Sequence, residues 1–333
     1  MARVLKWMAY IVLLAVMVLA AMTYWMLISG SSAPKAAAGV FDMTDWRIQA
    51  DRLDGDLPTE VRILEVGSDI VPSFIVQAGD FHGDTAMSYN AVEIVFPDYS
   101  IMIGGAIDQP TSEVMRQSET EGLFDPAAYQ QLTDALANAN KVLITHEHPD
   151  HVIAVARHPE PGALAPRLLL NQPQIASLPT YAGGELAPAL KTVQPGLSGS
   201  VEAIAPGVVV VPAAGHSPGS QMVFIALENG EEVLLLGDIV WVMSNLDDLK
   251  TRPILTQYLV FDHGEDRASV KRQVRALHDL RAAEPDLIMV PAHDRNHLLK
   301  LAEDSKVGWG LAPPRITEPA DASALAEMID IPD

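Results

Sequence analysis

The chain has 333 residues, 49% of them hydrophobic, which suffices for one large core or two small ones and excludes disorder as its main state. It contains no cysteine, so disulfides, zinc-thiolate clusters and a cysteine nucleophile are ruled out. The formal net charge is −21, and because Arg3 and Lys6 both precede the first acidic residue, Asp42, the rest is more negative still; such a field repels polyanions and excludes nucleic acid as a partner.

The first predicted element is "MAYIVLLAVMVLAAMTYWML", residues 8–27, an uncharged and almost wholly apolar run of the length an α-helix needs to cross a bilayer. A secretory signal has an apolar core of only about 7–15 residues. Trp7 and Tyr10 at one end, and Tyr24 and Trp25 at the other, lie where aromatic side chains favour the two interfaces. Residues 1–28 therefore read as a cytoplasmic start and a transmembrane anchor. The alternatives are a signal cleaved at "AAA" (Ala36–Ala38) and a buried core helix. Arg3 and Lys6 precede the span while Lys35, Asp42 and Asp45 follow it, which places the N-terminus in the cytoplasm and the remainder in the periplasm or exterior. "SGSSAPKAAAG" (Ser29–Gly39) has the composition of a flexible linker, and residues 29–60 read as linker and lead-in.

From residue 61 short β-rich runs follow one another: "VRILEV", "SFIVQA", "AVEIVF" and "SIMIG", separated by Gly, Pro and Asp. "DPAAYQQLTDALANAN" starts a helix with Asp125 as N-cap and Pro126 at its first position, and "KVLIT" follows as a buried strand. Strands are next predicted at "GVVVVPA", "QMVFIAL" and "EEVLLLGD", the last two joined by the turn "ENGE". A helix over "DRASVKRQVRALHDLRAA" precedes the strand "DLIMVPA". This order predicts two packed sheets with helices outside, one domain over residues 61–300, and a C-terminal extension over 301–333.

Directly behind "KVLIT" stand His146, His148, Asp150 and His151, within "THEHPDH". Chance does not account for three of ten histidines in six positions. Within a strand His146 and His148 would share a face, and Pro149 would break the run and turn Asp150 and His151 towards a second position. That arrangement can divide ligands between two metal ions. His216 in "GHSPGS", Asp238 in "LLLGD" and His293 in "VPAHD" also end apolar strands, a place where a lone polar residue is ordinarily part of a turn.

"THEHPDH", "GHSPG", "LLGD" and "PAHD", in this order, resemble the metallo-β-lactamase fold hydrolases over residues 61–300. The resemblance implies an αββα sandwich. It puts His146, His148 and His216 on one divalent metal ion and Asp150, His151 and His293 on a second, with Asp238 bridging. Zn2+ suits these nitrogen and oxygen donors best, and Fe, Mn or Co are tolerated. In such a site the two ions activate a bridging water and polarise a substrate carbonyl. Asp150 and Asp238 are then the catalytic carboxylates. Three positions depart from the family pattern. Gly104 stands where many relatives carry an Asp that supports a ligand histidine, leaving that support to another residue such as Asp108, which otherwise reads as a turn residue. Ser220 replaces a histidine, and Trp241 stands where lactonases often have a tyrosine.

The substrate class is less constrained, because one fold hosts many chemistries. The absence of cysteine and the presence of Asp238 weigh against a β-lactamase, and the negative charge weighs against a phosphodiesterase. A thioester hydrolase and a non-catalytic membrane-tethered module remain as alternatives. An acidic surface does not repel uncharged, partly apolar lactones or esters, and "WVMSNLDDLKTRPILTQYLVF" (Trp241–Phe261) reads either as an apolar substrate wall or as outer-layer packing. His82 reads as an exposed loop residue, and His158, His263, His278 and His297 as surface or helix residues without a function.

Overall fold

Eleven short strands fall into two sheets, each with helices on its outer face, in the computed structural model, which describes residues 2–37, 39–116, 123–256 and 264–313. His263, the 257–261 end of the expected substrate wall, Ala38 of the expected cleavage stretch and the extension from 314 onward lie outside the described residues.

The first sheet comprises β1 (Glu60–Pro72), β2 (Asp84–Val95), β3 (Ser100–Ile103), β4 (Leu123–Phe124), β5 (Lys141–Leu143) and β11 (Gly308–Trp309), in the order β11-β1-β2-β3-β5 with β4 also on β1. The second comprises β6 (Glu202–Ala205), β7 (Val208–Pro212), β8 (Gln221–Ala226), β9 (Glu232–Leu235) and β10 (Ile288–Val290), in the order β10-β9-β8-β7-β6. Side chains alternate across each strand and so serve two layers. In β8, Val223 and Ile225 face the first sheet, where they meet Ile63, Ile94 and Ile103. Met222 and Phe224 point the other way, against Trp46 and Val274 of the outer helices Met43–Ala50 and Arg267–Ala283. On the far side of the first sheet, Ala91 and Met102 pack beneath Leu132, Val152 and Leu178 of three further helices. The αββα arrangement follows from this double alternation.

Helix starts follow local chemistry. The side chains of Asp42, Asp125, Asn171 and Asp266 each accept hydrogen bonds from the first-turn N–H groups behind them, as N-caps do. Asp125 and Pro126 open the helix Pro126–Asn138 as expected. "SFIVQA" departs from expectation: it is a single helical turn, Ser73–Val76, not a strand. β1 continues through "SDIVP" to Pro72, and the chain must reverse to begin β2, so the β-branched run is spent in the turn. The Val76 carbonyl there accepts from Asn245 Nδ2 at 3.0 Å.

The helix Ala2–Leu27 stands outside this sandwich with its apolar side chains exposed. Among the described residues it is the one helix long and apolar enough to cross a membrane, with mean hydropathy 2.5 over its most apolar stretch. The segment after it is not slack. Ser31 is fully buried, its carbonyl accepts from Thr251 N at 3.0 Å, and Ala33 N donates to Leu249 O at 2.9 Å.

Candidate metal centre

β5, β9 and β10 all end at the same rim of the sandwich, and the loop between β7 and β8 folds over it. The chain passes from each strand end into a turn, and seven polar side chains converge there. β5 stops at Leu143, so His146 and His148 lie in the following loop; a shared strand face is not what aligns them. Pro149 is the first residue of a helix, Pro149–Ala156, with Asp150 and His151 in its opening turn. Proline at that position lacks only an N–H that would have no partner in the helix, so it starts the helix where a breaker was expected.

Ligand atoms of His146, His148 and His216 lie within 4.8 Å of one another, and so do those of Asp150, His151, Asp238 and His293. Asp238 joins the two groups. Its Oδ1 is 3.0 Å from His151 Nε2 and 3.2 Å from His293 Nε2, while its Oδ2 is 3.3 Å from His216 Nε2 and 3.7 Å from His146 Nε2. Asp150 Oδ2 stands 3.4 Å from His293 Nε2 and 3.6 Å from His151 Nε2. The Nε2 atoms of His146, His151 and His293 and the Oδ1 of Asp238 are buried without a well-formed hydrogen bond. Orphaned polar atoms of this kind are costly, and divalent cations, one in each group of donors, would satisfy all four. The donor set thus fits metal.

Electrostatics agree with that fit. Burial and the neighbouring imidazoles push His146 well below the usual histidine range and His148 down to about 4, so both are neutral, as ligands must be. Burial lowers His293 as well, but the Asp238 carboxylate outweighs it and raises the imidazole to about 9. A cation entering beside His293 must therefore displace a proton. Metal uptake should strengthen as pH rises towards about 9 and should release protons, which a metal titration in a weakly buffered indicator solution would register. Affinity independent of pH between about 6 and 9 would contradict this charge state.

Four of the five imidazoles, those of His146, His151, His216 and His293, are oriented from behind. Thr145 Oγ1 is 3.2 Å from both His146 Nδ1 and His151 Nδ1, and its two lone pairs can accept both N–H groups. The Ser88 carbonyl accepts from His293 Nδ1 at 2.9 Å. His216 Nδ1 faces Glu265 Oε2 at 3.2 Å, and Glu265 is paired with the buried Arg252. Burial would raise Glu265, but the Arg252 guanidinium and His216 bring it to about 2, and Arg252 Nη2 itself lies 2.8 Å from His216 Nδ1, so the pair brackets that nitrogen. Glu147 accepts from Ser217 Oγ and Gly219 N and so holds the loop that carries His216. A side chain on Gly219 would strike Glu147, its Cβ falling 2.5 Å from Oε2.

These contacts answer the sequence departures. Thr145 supplies the support that Gly104 cannot; Gly104 itself has φ +94°, where a side chain would be strained. Asp108 touches no ligand histidine: it caps the helix Gln109–Met115 and pairs with Arg157 at 2.8 Å. Ser220 Oγ accepts from Ser217 N and closes the His216 loop. Trp241 Nε1 donates to Asp238 Oδ2 at 2.7 Å, and its ring lies beneath the Arg252 guanidinium. His82 is exposed. His158 is buried, not on the surface as expected, with its ring bonded to Thr133 O and Glu160 N. Of the expected wall, Trp241 lines the cavity, whereas Met243 and Leu246 pack into the outer helix layer. Sequence reading missed Thr145, Glu265, Arg252 and Tyr89. Thr145 alone carried a signal, as the first letter of "THEHPDH". Thr145→Val keeps the shape and removes both acceptors, so metal affinity should fall by about 10- to 100-fold, measured by competition with a chromogenic chelator. Unchanged affinity would mean that Thr145 only fills space.

His148, Asp150 and Asp238 of the cluster line a 380 Å³ cavity whose walls also include Val71, Ile75, Met87, Tyr89 and Trp241. Burial raises the Tyr89 phenol, which therefore stays protonated as a donor. The fold is of the metallo-β-lactamase type. Solved structures similar to this chain include an N-acyl homoserine lactone hydrolase with N-hexanoyl-L-homoserine bound at its catalytic metal centre, with 14% identity, 73% of this chain and 96% of that chain covered, and TM-score 0.53. A point mutant of B. thuringiensis AiiA with N-decanoyl-L-homoserine at its active site shares 14% identity over 73% of this chain and 96% of its own, with TM-score 0.54. A probable metal-dependent hydrolase from Staphylococcus aureus shares 14% over 72% and 91%, with TM-score 0.51. At such identity the likeness is one of fold. No family profile and no curated protein sequence matches the chain.

Proposed function

We propose that the chain is a membrane-anchored hydrolase that holds two divalent metal ions, preferentially Zn2+, and opens lactones or cleaves related esters. The observation that carries this reading is the division of Asp238, with one oxygen towards His151 and His293 and the other towards His146 and His216. A carboxylate shared in this way suits a dinuclear centre. Bound there, the ions supply Lewis acidity and an activated water, so no serine or cysteine nucleophile is needed.

The chain's own residues do the rest. The Trp241 N–H fixes Asp238 Oδ2, and the Asp150 carboxylate, facing the cavity, is placed to hold a proton and deliver it to the leaving alkoxide oxygen. Tyr89 donates to the substrate, and Val71, Ile75 and Met87 favour an uncharged, partly apolar group. The lactone complexes among similar structures support the substrate class. Arg3 and Lys6 before the apolar helix support an N-terminus in the cytoplasm and a catalytic domain in the periplasm or exterior.

The test is a substrate panel at equal metal loading. Acyl-homoserine lactones and simple aryl esters should exceed a β-lactam, a glutathione thioester and a phosphodiester in kcat/KM, and the full chain should resist carbonate extraction from membranes. A higher kcat/KM on any of the last three substrates would defeat the lactone assignment and leave a metallohydrolase. Release by carbonate would defeat the anchor.

A further inference from the structure

The end of the apolar helix is bolted to the body of the sandwich domain. Lys250 Nζ donates to Ser32 Oγ at 2.7 Å and to Ile28 O at 3.3 Å, Lys271 Nζ donates to Gly30 O at 3.1 Å, and Arg267 donates to Ser31 Oγ at 2.9 Å. Gly30 has no room for a side chain, since a Cβ there would meet Ile254 Cδ1 at 2.3 Å. An anchor held by so many bonds cannot swing, and it fixes which face of the domain meets the bilayer.

Beside that face lies the turn that carries Ile75, one of the cavity's wall residues. Ile28, the first residue past the helix, packs against Gly79, in the loop between the turn Ser73–Val76 and β2. The same loop is held from behind, with Ala78 N on Thr251 O at 3.0 Å and Gln77 Nε2 on Asp248 Oδ2 at 2.6 Å. The turn and the loop each present an aromatic ring, Phe74 and Phe81, 37% and 53% exposed and stacked with centroids 6.3 Å apart. Phe74 is followed by Ile75, which lines the cavity and packs with Val71, Val76, Met87 and Trp241. An apolar path thus runs from the level of Ile28 through the phenylalanines and Ile75 to Trp241, whose N–H holds Asp238.

We propose that Phe74 and Phe81 seat the mouth in the outer lipid–water interface, and that the substrate is a membrane-dissolved amphiphile whose acyl chain enters the cavity directly from the leaflet. Aromatic rings favour that depth, and the tightly docked helix end brings the lipid surface to them. Asp80 and Asp84 flank Phe81, so a zwitterionic surface suits the loop better than an anionic one. The substrate part of this inference rests on the lactone or ester reading above, and the seating rests on the membrane-anchor reading alone, which carbonate extraction tests separately.

Because the chain lacks cysteine, single-site labelling is direct. Full-length Phe81→Cys and Asn229→Cys proteins, each carrying an environment-sensitive fluorophore, are reconstituted in phosphatidylcholine vesicles with spin-labelled lipids. Asn229 lies in the β8–β9 turn, at the end of the strands opposite Asp238, and serves as the distal control. Position 81 should be blue-shifted and quenched by shallow spin labels, and position 229 should be neither. Absence of quenching at 81 overturns the proposal; a blue shift there without lipid quenching indicates instead that a second copy covers the face, and also overturns it. For the substrate, the Phe74→Ser/Phe81→Ser double variant should lose on the order of tenfold in kcat/KM on a dodecanoyl lactone in vesicles, and nothing on a butanoyl lactone in water. Equal losses on both would reject entry from the leaflet. Quenching at 81 together with no lactone turnover by the wild type would instead reject the lactone reading and keep the seating.

Discussion

Asp238→Ala should empty both halves of the metal centre together and reduce hydrolysis by about 10³-fold or more. In the folded chain this one carboxylate approaches four imidazoles, His146, His151, His216 and His293, at 3.0 to 3.7 Å. Burial would raise the Asp238 carboxyl, but His146, then His293 and His151, hold its pKa well below the usual carboxylate range. Removing it takes a donor from both groups of ligands and leaves buried imidazoles facing each other. His293→Ala removes a donor from one group only, so it should cost about half of the bound metal. Elemental analysis of the two variants after gel filtration decides the matter, with near-ultraviolet circular dichroism as the check on folding. Asp238→Asn, which preserves volume, guards against a folding failure. If the folded Asp238 variants retain two ions per chain, the carboxylate does not bridge. If Asp238→Ala and His293→Ala lose the same single ion, the division of ligands into two sets is wrong.

The parts of this centre that were legible in the sequence are those with a local cause. A strand end is marked by an apolar run meeting a polar residue, and His146, His216, Asp238 and His293 each stand just past such a run. The same holds for Asp125 and Pro126, whose capping role depends only on the next three residues. What escaped detection depends on partners far away along the chain. Glu265 reads as one acid in "HGEDR", and only the fold brings it to His216, 49 positions earlier. Ser88 supports His293 through a backbone carbonyl that any residue could offer, at a separation of 205 positions. Composition also misled at Ser29–Ala33, where small polar residues suggested a slack tether. There the lack of bulk is what lets Gly30 fit under Ile254 and Ser31 reach Thr251. "SFIVQA" was misread because β-branched residues favour strands only when a neighbouring strand is available, and β1 and β2 already pair around that turn.

Asp150→Asn should lower kcat by about 10²- to 10⁴-fold with little change in KM, and the loss should depend on the leaving group. Asp150 is set in the first turn of the helix Pro149–Ala156, faces the cavity, and keeps one oxygen 3.4 Å from His293 Nε2 and 3.6 Å from His151 Nε2. Asparagine matches its shape and retains an oxygen on the same side, but its amide cannot take up and return a proton near neutral pH. A lactone or alkyl ester leaves as a strongly basic alkoxide and needs that proton as the bond breaks. A nitrophenyl ester leaves as a stable phenolate and does not. The variant should therefore lose much more on the lactone than on the nitrophenyl ester, and the deficit should scale with the basicity of the leaving oxygen across a series of aryl and alkyl esters. Metal content must be measured alongside, because Asp150 also stands among the ligands. Loss of one ion with equal deficits on every ester would assign Asp150 to holding metal alone. Full metal occupancy with a deficit that ignores the leaving group would place its role in orienting the attacking water, and the proton would have to reach the alkoxide from another cavity donor, of which the buried, protonated Tyr89 is the nearest in kind.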